Sequence, residues 1–356
     1  MLIFSQSVIK LTCFGYMNIE DFDYFLPEGF VAQYPEKDRT SSRLLVYERE
    51  RGTIEHRFFR DILDYLNEGD VLVLNNSKVL PARLKAKKNT GGELHITLVE
   101  RIDRNRWFCL TKGIRGNMSR LTVDIGDVKA GLERDKETSF WIIEFMYEGD
   151  SMDIIRRYGM MPLPPYIKRK TREDLDFNMY QTVYAHEPGS VAAPTAGLHF
   201  TEELLDRIEQ KGINIVKITL HIGVGTFLLI KKKNVEEHVM HREYYIVPEG
   251  IKEAIKKARR DGKRVIACGT SSVRTLESVF SQNGDAPLQG YTDIFIYPGY
   301  RFKVVDALIT NFHLPRSTPL MLVAAFTGRD ALLGCYQEAI EKRYRFYSYG
   351  DAMLIV

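Results

Sequence analysis

The sequence predicts an open α/β domain with an inserted small antiparallel β-barrel domain. Beyond about residue 150, helix and strand signals alternate, which is typical of an α/β domain with a largely parallel sheet. Over residues 69–150, short strands follow one another with turns and no helices between them, which favours a small barrel or sandwich. We therefore expect a discontinuous α/β domain over 17–68 and 151–356 and a barrel domain over 69–150. Residues 1–16 fit neither pattern, and we interpret them as an N-terminal extension before Met17.

The elements before the barrel and within it are predicted from short local patterns. A strand at 43–48 and a helical stretch at 58–66 precede the turn signal Gly69-Asp70. Turns rich in Gly, Asn and Asp then separate six strand candidates. These strands are predicted at 71–74, 82–86, 93–100, 107–111, 121–125 and 140–147.

The second half of the chain gives clearer helix signals. Thr201 followed by two glutamates is typical of a helix start, and it predicts a helix over 200–210. Residues 251–260 place four apolar side chains on one helical face, and Asp261-Gly262 ends that helix. Strands are predicted at 214–220 and 264–268, the latter with a buried-strand pattern.

Composition excludes several classes of protein. The 356 residues are 44% hydrophobic and 27% charged, which suits a folded chain with a core. The longest apolar run, at 320–326, is far shorter than the ~20 residues that cross a bilayer. Four separated cysteines without a C-x-x-C pair exclude a zinc ribbon and a disulfide framework and favour the cytoplasm. The first sixteen residues, with Lys10 as their one basic residue, do not form a secretory signal.

Two loop segments carry candidate site residues. In 190–201, Pro194 and Gly197 form a sharp turn that lets a ligand approach the backbone beside Thr195 and His199, although an ordinary capped loop has the same pattern. The segment 219–227 ends a strand with two glycines and a hydroxyl. Its candidates are His221, Gly223, Gly225 and Thr226, and His221 by itself also fits a hydrogen-bonded core histidine.

The segment 265–277 reads as strand, glycine turn and helix. Thr270 and Ser271 would lie at a helix N-terminus, where free N–H groups suit a carboxylate or a phosphate, and Arg274 adds charge if it points inward. Plain helix capping explains the same hydroxyls. The turn does not match G-x-G-x-x-G, a P-loop or G-x-S-x-G, so neither a nucleotide motif nor a hydrolase nucleophile is predicted.

Polar residues are dense at 310–319, between two apolar runs. Burying such groups costs free energy unless they bind something, so Asn311, His313 and Arg316 are candidate ligand residues. The segment 347–353 is similar but weaker, with Tyr349 and Asp351 as candidates.

Metal binding is not predicted. His238 and His241 stand three residues apart, but no third ligand follows at a recognisable spacing.

Basic residues form three runs in a chain whose net charge is only +3. One such run is usually a solvated face, whereas three favour a polyanion footprint. The candidate RNA-binding residues are Lys168, Arg169, Lys231, Lys232, Lys256, Lys257, Arg259 and Arg260.

Taken together, these motifs resemble the S-adenosylmethionine:tRNA ribosyltransferase-isomerases of queuosine biosynthesis. The resemblance runs from Phe22-Asp-Tyr-Phe-Leu-Pro-Glu28 to Tyr344-Arg-Phe-Tyr-Ser-Tyr-Gly-Asp-Ala-Met-Leu-Ile355. Its most specific parts are Gly189-Ser-Val-Ala-Ala-Pro-Thr-Ala-Gly-Leu-His-Phe-Thr201 and Thr310-Asn-Phe-His-Leu-Pro315. Leu220 stands where the family usually has threonine, so that hydroxyl is not essential here.

The resemblance implies a reaction and a set of partners. The ribosyl group of S-adenosylmethionine would be transferred to 7-aminomethyl-7-deazaguanine at the tRNA wobble position and isomerised, giving epoxyqueuosine-tRNA, adenine and methionine. S-adenosylmethionine is then a co-substrate, with no prosthetic group and no metal. The partner is a tRNA anticodon stem-loop, no membrane is involved, and we expect a monomer.

The chemistry of this reaction suggests roles for the candidate residues. A base near neutral pH would remove a ribose 5′ proton, and His199 is the first choice because it sits on the sharp turn. His313 or His221 would protonate the departing adenine. Thr270, Ser271 and Arg274 would hold the methionine carboxylate. Asp351 would hold its ammonium, Tyr349 would contact the sulfonium, and Arg316 would lower the pKa of the attacking amine or bind phosphate.

Two alternatives stay open at this stage. An S-adenosylmethionine methyltransferase would use the same co-substrate, but the strand at 71–74 lacks the glycine-rich turn that such a fold requires. A non-catalytic RNA-binding module would account for the basic runs but not for the polar loops beside core strands.

Overall fold

The structure is a computed structural model that describes residues 16–114, 116–168, 175–227, 229–280 and 286–356. Its helices are α1 Ser151–Tyr158, α2 Leu175–Met179, α3 Glu202–Gln210, α4 Ile251–Arg260, α5 Thr270–Val279, α6 Thr318–Thr327 and α7 Arg329–Glu341. Short 3₁₀ helices lie at Ile19–Phe22, Arg39–Ser41, Phe59–Tyr65, Thr195–His199, Val224–Phe227 and Val235–Glu237. The predicted extension 1–16 lies outside the described residues except for Tyr16.

The strands fall into a large sheet, a barrel and a short ribbon. The large sheet contains β1 Arg43–Glu48, β2 Thr53–Phe58, β3 Val71–Asn75, β12 Asn214–Leu220, β13 Glu243–Ile246, β14 Val265–Cys268, β15 Gln289–Thr292, β16 Ala307–Asn311 and β17 Ala352–Ile355. The barrel contains β5 Arg83–Lys88, β6 Glu93–Arg101, β7 Arg106–Lys112, β8 Arg120–Ile125, β9 Val128–Arg134 and β10 Trp141–Met146. The ribbon pairs β4 Ser77–Val79 with β11 Glu187–Ser190.

The large sheet has a parallel centre and antiparallel edges. Its strand order is β15-β13-β12-β3-β14-β16-β17-β1-β2, and β12, β3, β14 and β16 run parallel. All residues of β3 and β14 are buried, because helices or loops cover both faces of a parallel centre. Helices α4 to α7 cover one face, while α3 and the 3₁₀ helix Phe59–Tyr65 cover the other.

The barrel confirms the predicted strand-rich module. Its six strands pair antiparallel in the order β10-β7-β6-β5-β8-β9, and β9 pairs with β10 to close it. Strand β6 alternates buried and partly exposed residues, as expected when one face of a strand packs on a barrel core. The fold class, an α/β domain with a small antiparallel barrel, is therefore confirmed.

The predicted limits of the barrel block need correction at both ends. Val71–Asn75 pairs with β12 and β14 in the large sheet and not with the barrel. A fully buried strand has no local signal for its partners, which here lie far along the chain. At the other end, Ile154 and Ile155 of α1 pack into the barrel core. The Trp107 indole also donates to Ser151 Oγ at 2.9 Å, so α1 belongs to the barrel by packing.

Candidate active site

A cleft of about 930 Å³ opens at the carboxyl ends of the central strands. Its walls come from Gly269–Ser271 after β14, from 310–314 at the end of β16, and from Leu220 and Ile222 at the end of β12. Ligands of open α/β sheets bind at this edge, because the loops there connect strands to the N-termini of helices. The four polar segments singled out in the sequence meet around this cleft.

Two helix N-termini face the cleft. Helix α5 begins after Gly269, whose φ of 86° and ψ of 153° suit glycine, and no side chain caps its first N–H groups. Helix α6 begins after Ser317, whose hydroxyl accepts from Leu320 N–H. Thr270, Ser271 and Thr318 also line the cleft. Free N–H groups and the helix dipole make such a position favourable for an anion.

His313 is the histidine that lines the cleft. Its Nε2 lies 2.7 Å from Thr310 Oγ1, and its backbone N–H donates to the Tyr336 hydroxyl at 2.9 Å. Burial lowers the His313 pKa to about 3, because desolvation penalises the charged ring. Within the described residues Nδ1 has no hydrogen-bond partner. The cleft is thus lined by a neutral imidazole with one nitrogen unoccupied.

His199 occupies a different position from the predicted one. It lines a separate pocket of about 300 Å³, is 5% exposed, and packs against Phe59 with ring centroids 4.9 Å apart and ring planes tilted by 30°. Its Nδ1 lies 2.6 Å from Ser42 Oγ and its Nε2 lies 3.2 Å from Asn311 Nδ2. Burial first, and then the nearby Arg345 and Arg39 charges, lower its pKa to about 3. Both ring nitrogens are therefore occupied, and neither lines the cleft as the predicted base would.

Thr195 and Asn311 connect this buried histidine to the cleft. Both residues line the cleft, and the Thr195 hydroxyl donates to Asn311 Oδ1 at 2.8 Å. Asn311 itself is 2% exposed. The sequence named both residues but gave no sign that they bond to one another or to His199.

His221 lies on the opposite side of its strand. Leu220 and Ile222 line the cleft, so the alternation of side chains turns His221 away from it. Its ring lies parallel to that of Tyr244, with centroids 6.3 Å apart, and its Nδ1 is buried without a hydrogen bond. The expected role in protonating adenine therefore has no geometric support at His221.

Arg274 lines the cleft, but its charge is compensated by a residue that sequence reasoning missed. Its guanidinium pairs with Glu243, and both side chains are at least nine-tenths buried. Glu243 also accepts from Gly223 N–H at 2.7 Å, which fixes the glycine segment against the wall. Gly225 and Thr226 lie beside a neighbouring cavity, and Thr226 also lines the cleft. No sequence motif contains Glu243, because it is an isolated acidic residue in a four-residue strand.

Three predicted ligand residues lie outside the cleft walls. Asp351 is buried, and its carboxylate accepts from the backbone N–H groups of Arg43 and Arg345 at 2.9 and 2.7 Å. Tyr349 donates to Asp176 at 3.1 Å and lines the smaller pocket. Arg316 pairs with Asp23 at 3.5 Å. These three side chains therefore bond to residues around the cleft and do not line it.

Aromatic residues that were not predicted form much of the cleft wall. Tyr166 and Tyr347 lie with ring centroids 4.8 Å apart, and the Tyr166 hydroxyl is 2.5 Å from Ser348 Oγ. Phe295 and Phe312 complete this wall. Aromatic faces attract cations, and these rings line the cleft whereas Tyr349 does not. No spacing rule links these positions, which come from four distant segments.

The predicted basic residues lie in different places. Lys231 and Lys232 line a cavity of about 710 Å³ that adjoins the cleft through shared wall residues. Helix α4, which carries Lys256, Lys257, Arg259 and Arg260, ends just before β14 begins, and Arg259 donates to the Lys303 carbonyl just before β16. This end of α4 is at the amino edge of the sheet, opposite the cleft. Lys168 is exposed, and Arg169 lies outside the described residues.

The described part of the chain contains no cluster of three His, Cys, Asp or Glu side chains that could hold a metal ion. His238 and His241 line the cavity beside Lys231. Among the described helices, none combines the length and the apolar character needed to span a membrane.

Comparison with known proteins places this geometry in a family. The family model described as "Queuosine biosynthesis protein" matches residues 19–355. Among solved structures, the chain is similar to the S-adenosylmethionine tRNA ribosyltransferase from Thermotoga maritima, with 38% sequence identity and a TM-score of 0.54. That alignment covers 94% of this chain and 100% of the Thermotoga chain.

Proposed function

The chain belongs to the queuosine biosynthesis protein family, and on this premise we propose that it is a transferase that uses S-adenosylmethionine to modify tRNA. It transfers and isomerises the ribosyl group onto 7-aminomethyl-7-deazaguanine at the wobble position, giving epoxyqueuosine-tRNA, adenine and methionine. S-adenosylmethionine acts as co-substrate, and the reaction requires neither a prosthetic group nor a metal.

One observation carries the proposal beyond family membership. The segments that resemble the ribosyltransferase-isomerases are far apart in sequence, yet they line one cleft at the ligand-binding edge of the sheet. This cleft combines helix N-termini for an anion, aromatic faces for a cation and a neutral histidine for proton transfer. S-adenosylmethionine presents a carboxylate, a sulfonium and an acidified ribose proton, which match these three features.

His313 carries the proton in this proposal. The sulfonium acidifies the ribose 5′ carbon, and the unoccupied Nδ1 of neutral His313 accepts the proton that leaves it. Because burial lowers the His313 pKa to about 3, the imidazolium is a strong acid, and it gives this proton to the departing adenine. Thr310 fixes the ring in both states, because Nε2–H donates to the Thr310 hydroxyl whether Nδ1 is free or protonated.

The remaining groups hold the co-substrate. The N-terminus of α5, with Thr270 and Ser271, binds the methionine carboxylate. The sulfonium rests against Tyr166 and Tyr347, which replace Tyr349 in this role. Arg274 is already paired with Glu243, so it shapes the wall and adds little net charge.

The RNA approaches from the side of Lys231 and Lys232, whose cavity shares wall residues with the cleft. The wobble nucleotide is splayed out of the anticodon loop to reach the transfer site, as loop bases usually are when proteins read or modify them. The chain acts as a monomer in the cytoplasm.

A product assay tests this function directly. The protein is incubated with S-adenosylmethionine and an anticodon stem-loop that carries 7-aminomethyl-7-deazaguanine, and the products are analysed by mass spectrometry. We expect free adenine, free methionine and a nucleoside that gains the mass of the epoxycyclopentane unit. The same stem-loop with guanine at the wobble position is the control and should give no adenine.

The other outcomes distinguish the alternatives. A gain of one methyl group would identify a methyltransferase and contradict the proposal. Stem-loop binding without any product would instead favour a non-catalytic RNA-binding module.

Replacement of His313 tests the proton carrier. His313→Gln keeps a polar side chain of similar size but removes the imidazole, so we expect kcat to fall about 10²- to 10⁴-fold. His221→Phe, on the opposite side of its strand, is the matched control and should stay within about threefold of wild type. Steady-state kinetics of adenine release measure both variants. A His313→Gln enzyme with wild-type kcat would remove this histidine from the mechanism.

A further inference from the structure

We propose that His199 and Asn311 are positioning residues that make the Thr195 hydroxyl a pure hydrogen-bond acceptor in the cleft, where it binds an amine N–H of a substrate. The proposal adds a substrate-binding group to the proposed function. Only its kinetic test rests on the proposed function. Its basis is an unbroken series of hydrogen bonds from Ser42 through His199 and Asn311 to Thr195.

The direction of this series is set at Ser42. The Ser42 hydroxyl donates its one proton to the Arg39 carbonyl at 2.8 Å. Its contact with His199 Nδ1 at 2.6 Å must then use an oxygen lone pair. His199 therefore carries its proton on Nδ1, and its Nε2 presents a lone pair.

That lone pair orients the amide of Asn311. The Nδ2 group of Asn311 lies 3.2 Å from His199 Nε2 and 3.4 Å from each of the Tyr347 and Asp351 carbonyl oxygens. All three neighbours accept hydrogen bonds, so the amide nitrogen must face them and the amide oxygen must face Thr195. The Thr195 hydroxyl then donates its proton to Asn311 Oδ1 at 2.8 Å.

Thr195 consequently has no proton left for a ligand. In the cleft, the Thr195 oxygen can therefore only accept hydrogen bonds. It selects a ligand group that donates an N–H, such as an ammonium or a nucleobase amine. S-adenosylmethionine carries such donors in its methionine and adenine parts, and the aminomethyl base of the RNA carries another. The separate KM values for the two substrates distinguish these sources.

Burial makes the arrangement rigid. Ser42 and Asn311 are each 2% exposed and His199 is 5% exposed, so water does not compete for these hydrogen bonds. A protonated His199 would direct an Nε2–H at the Asn311 amino group, and two donors would then face each other. The series of hydrogen bonds therefore requires His199 to stay neutral over the working pH range. Burial keeps the ring neutral because it lowers the His199 pKa.

Nitrogen NMR of the histidine rings tests the direction of the series without any turnover. The probe is wild-type protein with ¹⁵N-labelled histidine, and His199→Gln assigns the missing signal. We expect that signal to show the Nδ1–H tautomer and no titration between pH 5.5 and pH 8, because burial lowers the pKa to about 3. An Nε2–H tautomer or a titrating ring would overturn the proposal even if the enzyme is active.

Kinetics test the role of Thr195. Thr195→Val keeps the shape but removes the acceptor, so we expect KM for one substrate to rise about tenfold or more with little change in kcat. Thr195→Ser keeps the hydroxyl and should recover most of the KM loss that Thr195→Val causes. A rise for S-adenosylmethionine assigns the donor to the co-substrate, and a rise for the stem-loop assigns it to the aminomethyl base. Unchanged KM values for both substrates would contradict the proposal.

The contribution of His199 is measured against Thr195. His199→Phe removes the lone pair that orients Asn311, so it should raise the KM that Thr195→Val raises. In His199→Gln the amide oxygen replaces Nε2 as acceptor, so this variant should have a KM close to that of wild type. The Thr195→Val, His199→Phe double variant should be no worse than the more impaired single variant, because both act on one contact. A large loss of kcat in His199→Gln with an unchanged KM would show that His199 is a catalytic residue and would reject its positioning role.

Discussion

His199 is buried and His313 is half-buried at the cleft wall; both rings are neutral, but they differ in what their nitrogens contact. Each lies in a motif that resembles the ribosyltransferase-isomerases, and the sequence analysis made His199 the first choice of base and His313 one of two candidates for protonating adenine. In the structure, His199 has a partner at each nitrogen, whereas His313 lines the cleft and has one described partner, Thr310 at Nε2. The number of unoccupied nitrogens, which no motif encodes, is what distinguishes a positioning group from a proton carrier.

The two lowered pKa values predict how stability depends on pH. In the unfolded chain a histidine gains a proton below its usual pKa of 6.5, but in the folded protein these rings stay neutral down to about pH 3. The unfolded state binds more protons within this window, so the free energy of unfolding decreases as pH falls from 7 to 5. The expected loss is about 2 kcal/mol for each histidine.

Urea unfolding at pH 7 and pH 5 measures this loss. His313→Gln should reduce the difference between the two pH values by about 2 kcal/mol. Gly334→Ala in α7, which changes no titratable group, is the control and should leave the difference unchanged. A wild-type pH dependence in His313→Gln would show that the folded ring is charged.

At the scale of elements, the strand–turn–helix junctions assemble the cleft. Gly269 ends β14 and begins α5 with a backbone conformation that is nearly restricted to glycine. This turn aims the free N–H groups of α5 at the cleft, while the loop after β16 brings His313 beside them. The chemistry therefore depends on turn geometry at the ends of buried strands, since the strands themselves contribute mainly apolar support.

Gly269→Ala tests the importance of that turn. An added Cβ would meet no atom closer than Ser271 Oγ at 3.5 Å, so the cost is backbone strain and not a clash. We expect unfolding to become easier by about 1–3 kcal/mol and KM for S-adenosylmethionine to rise as α5 shifts. Thermal unfolding and kinetics measure the two effects.

Gly334→Ala is the matched control for this substitution. Gly334 is exposed in the middle of α7, and nothing lies within 4 Å of an added Cβ. This variant should be more stable than wild type by about 0.5–1 kcal/mol, with unchanged kinetics. A stable Gly269→Ala protein with wild-type KM would contradict the role of the turn.

For the whole molecule, the sheet separates two groups of positive charge that look alike in sequence. Lys231 and Lys232 lie at the carboxyl edge beside the cleft, and the basic end of α4 lies at the amino edge. If the proposed function is correct, a stem-loop whose wobble base reaches the cleft would contact the first group. The second group would then be a solvated face, despite its larger number of basic residues.

Salt-dependent RNA binding distinguishes the two groups. Replacing Lys231 and Lys232 together by alanine should weaken stem-loop binding and lower the slope of log affinity against log salt by about 1–2, because up to two phosphate contacts are lost. Replacing Lys256 and Lys257 by alanine removes the same charge and is the matched control. An equal loss in both double variants would extend the RNA footprint to the amino edge.

Much of the fold was predictable because it depends on local patterns. Short strand patterns between turns gave most barrel strands. A helix-start signal gave α3 and apolar residues at helical spacing gave α4, both within two residues of their bounds. Among the strands that were not predicted, β2 is mostly exposed and β9 contains a glycine. Val71–Asn75 was placed in the wrong unit because a buried strand shows its hydrophobicity but not its partners.

The sequence by itself determined the fold class, the family resemblance and the four segments that surround the cleft, because turn chemistry, periodicity and motif spacing are properties of neighbouring residues. Only the tertiary structure decided which histidine lines the cleft. It also decided that the Glu243 carboxylate pairs with Arg274 and that the Asp351 carboxylate accepts hydrogen bonds from backbone N–H groups. These outcomes depend on contacts between residues far apart in the chain, on burial and on the direction of each hydrogen bond. The same side chain can therefore be a proton carrier or a positioning group, and its neighbours in space decide between the two.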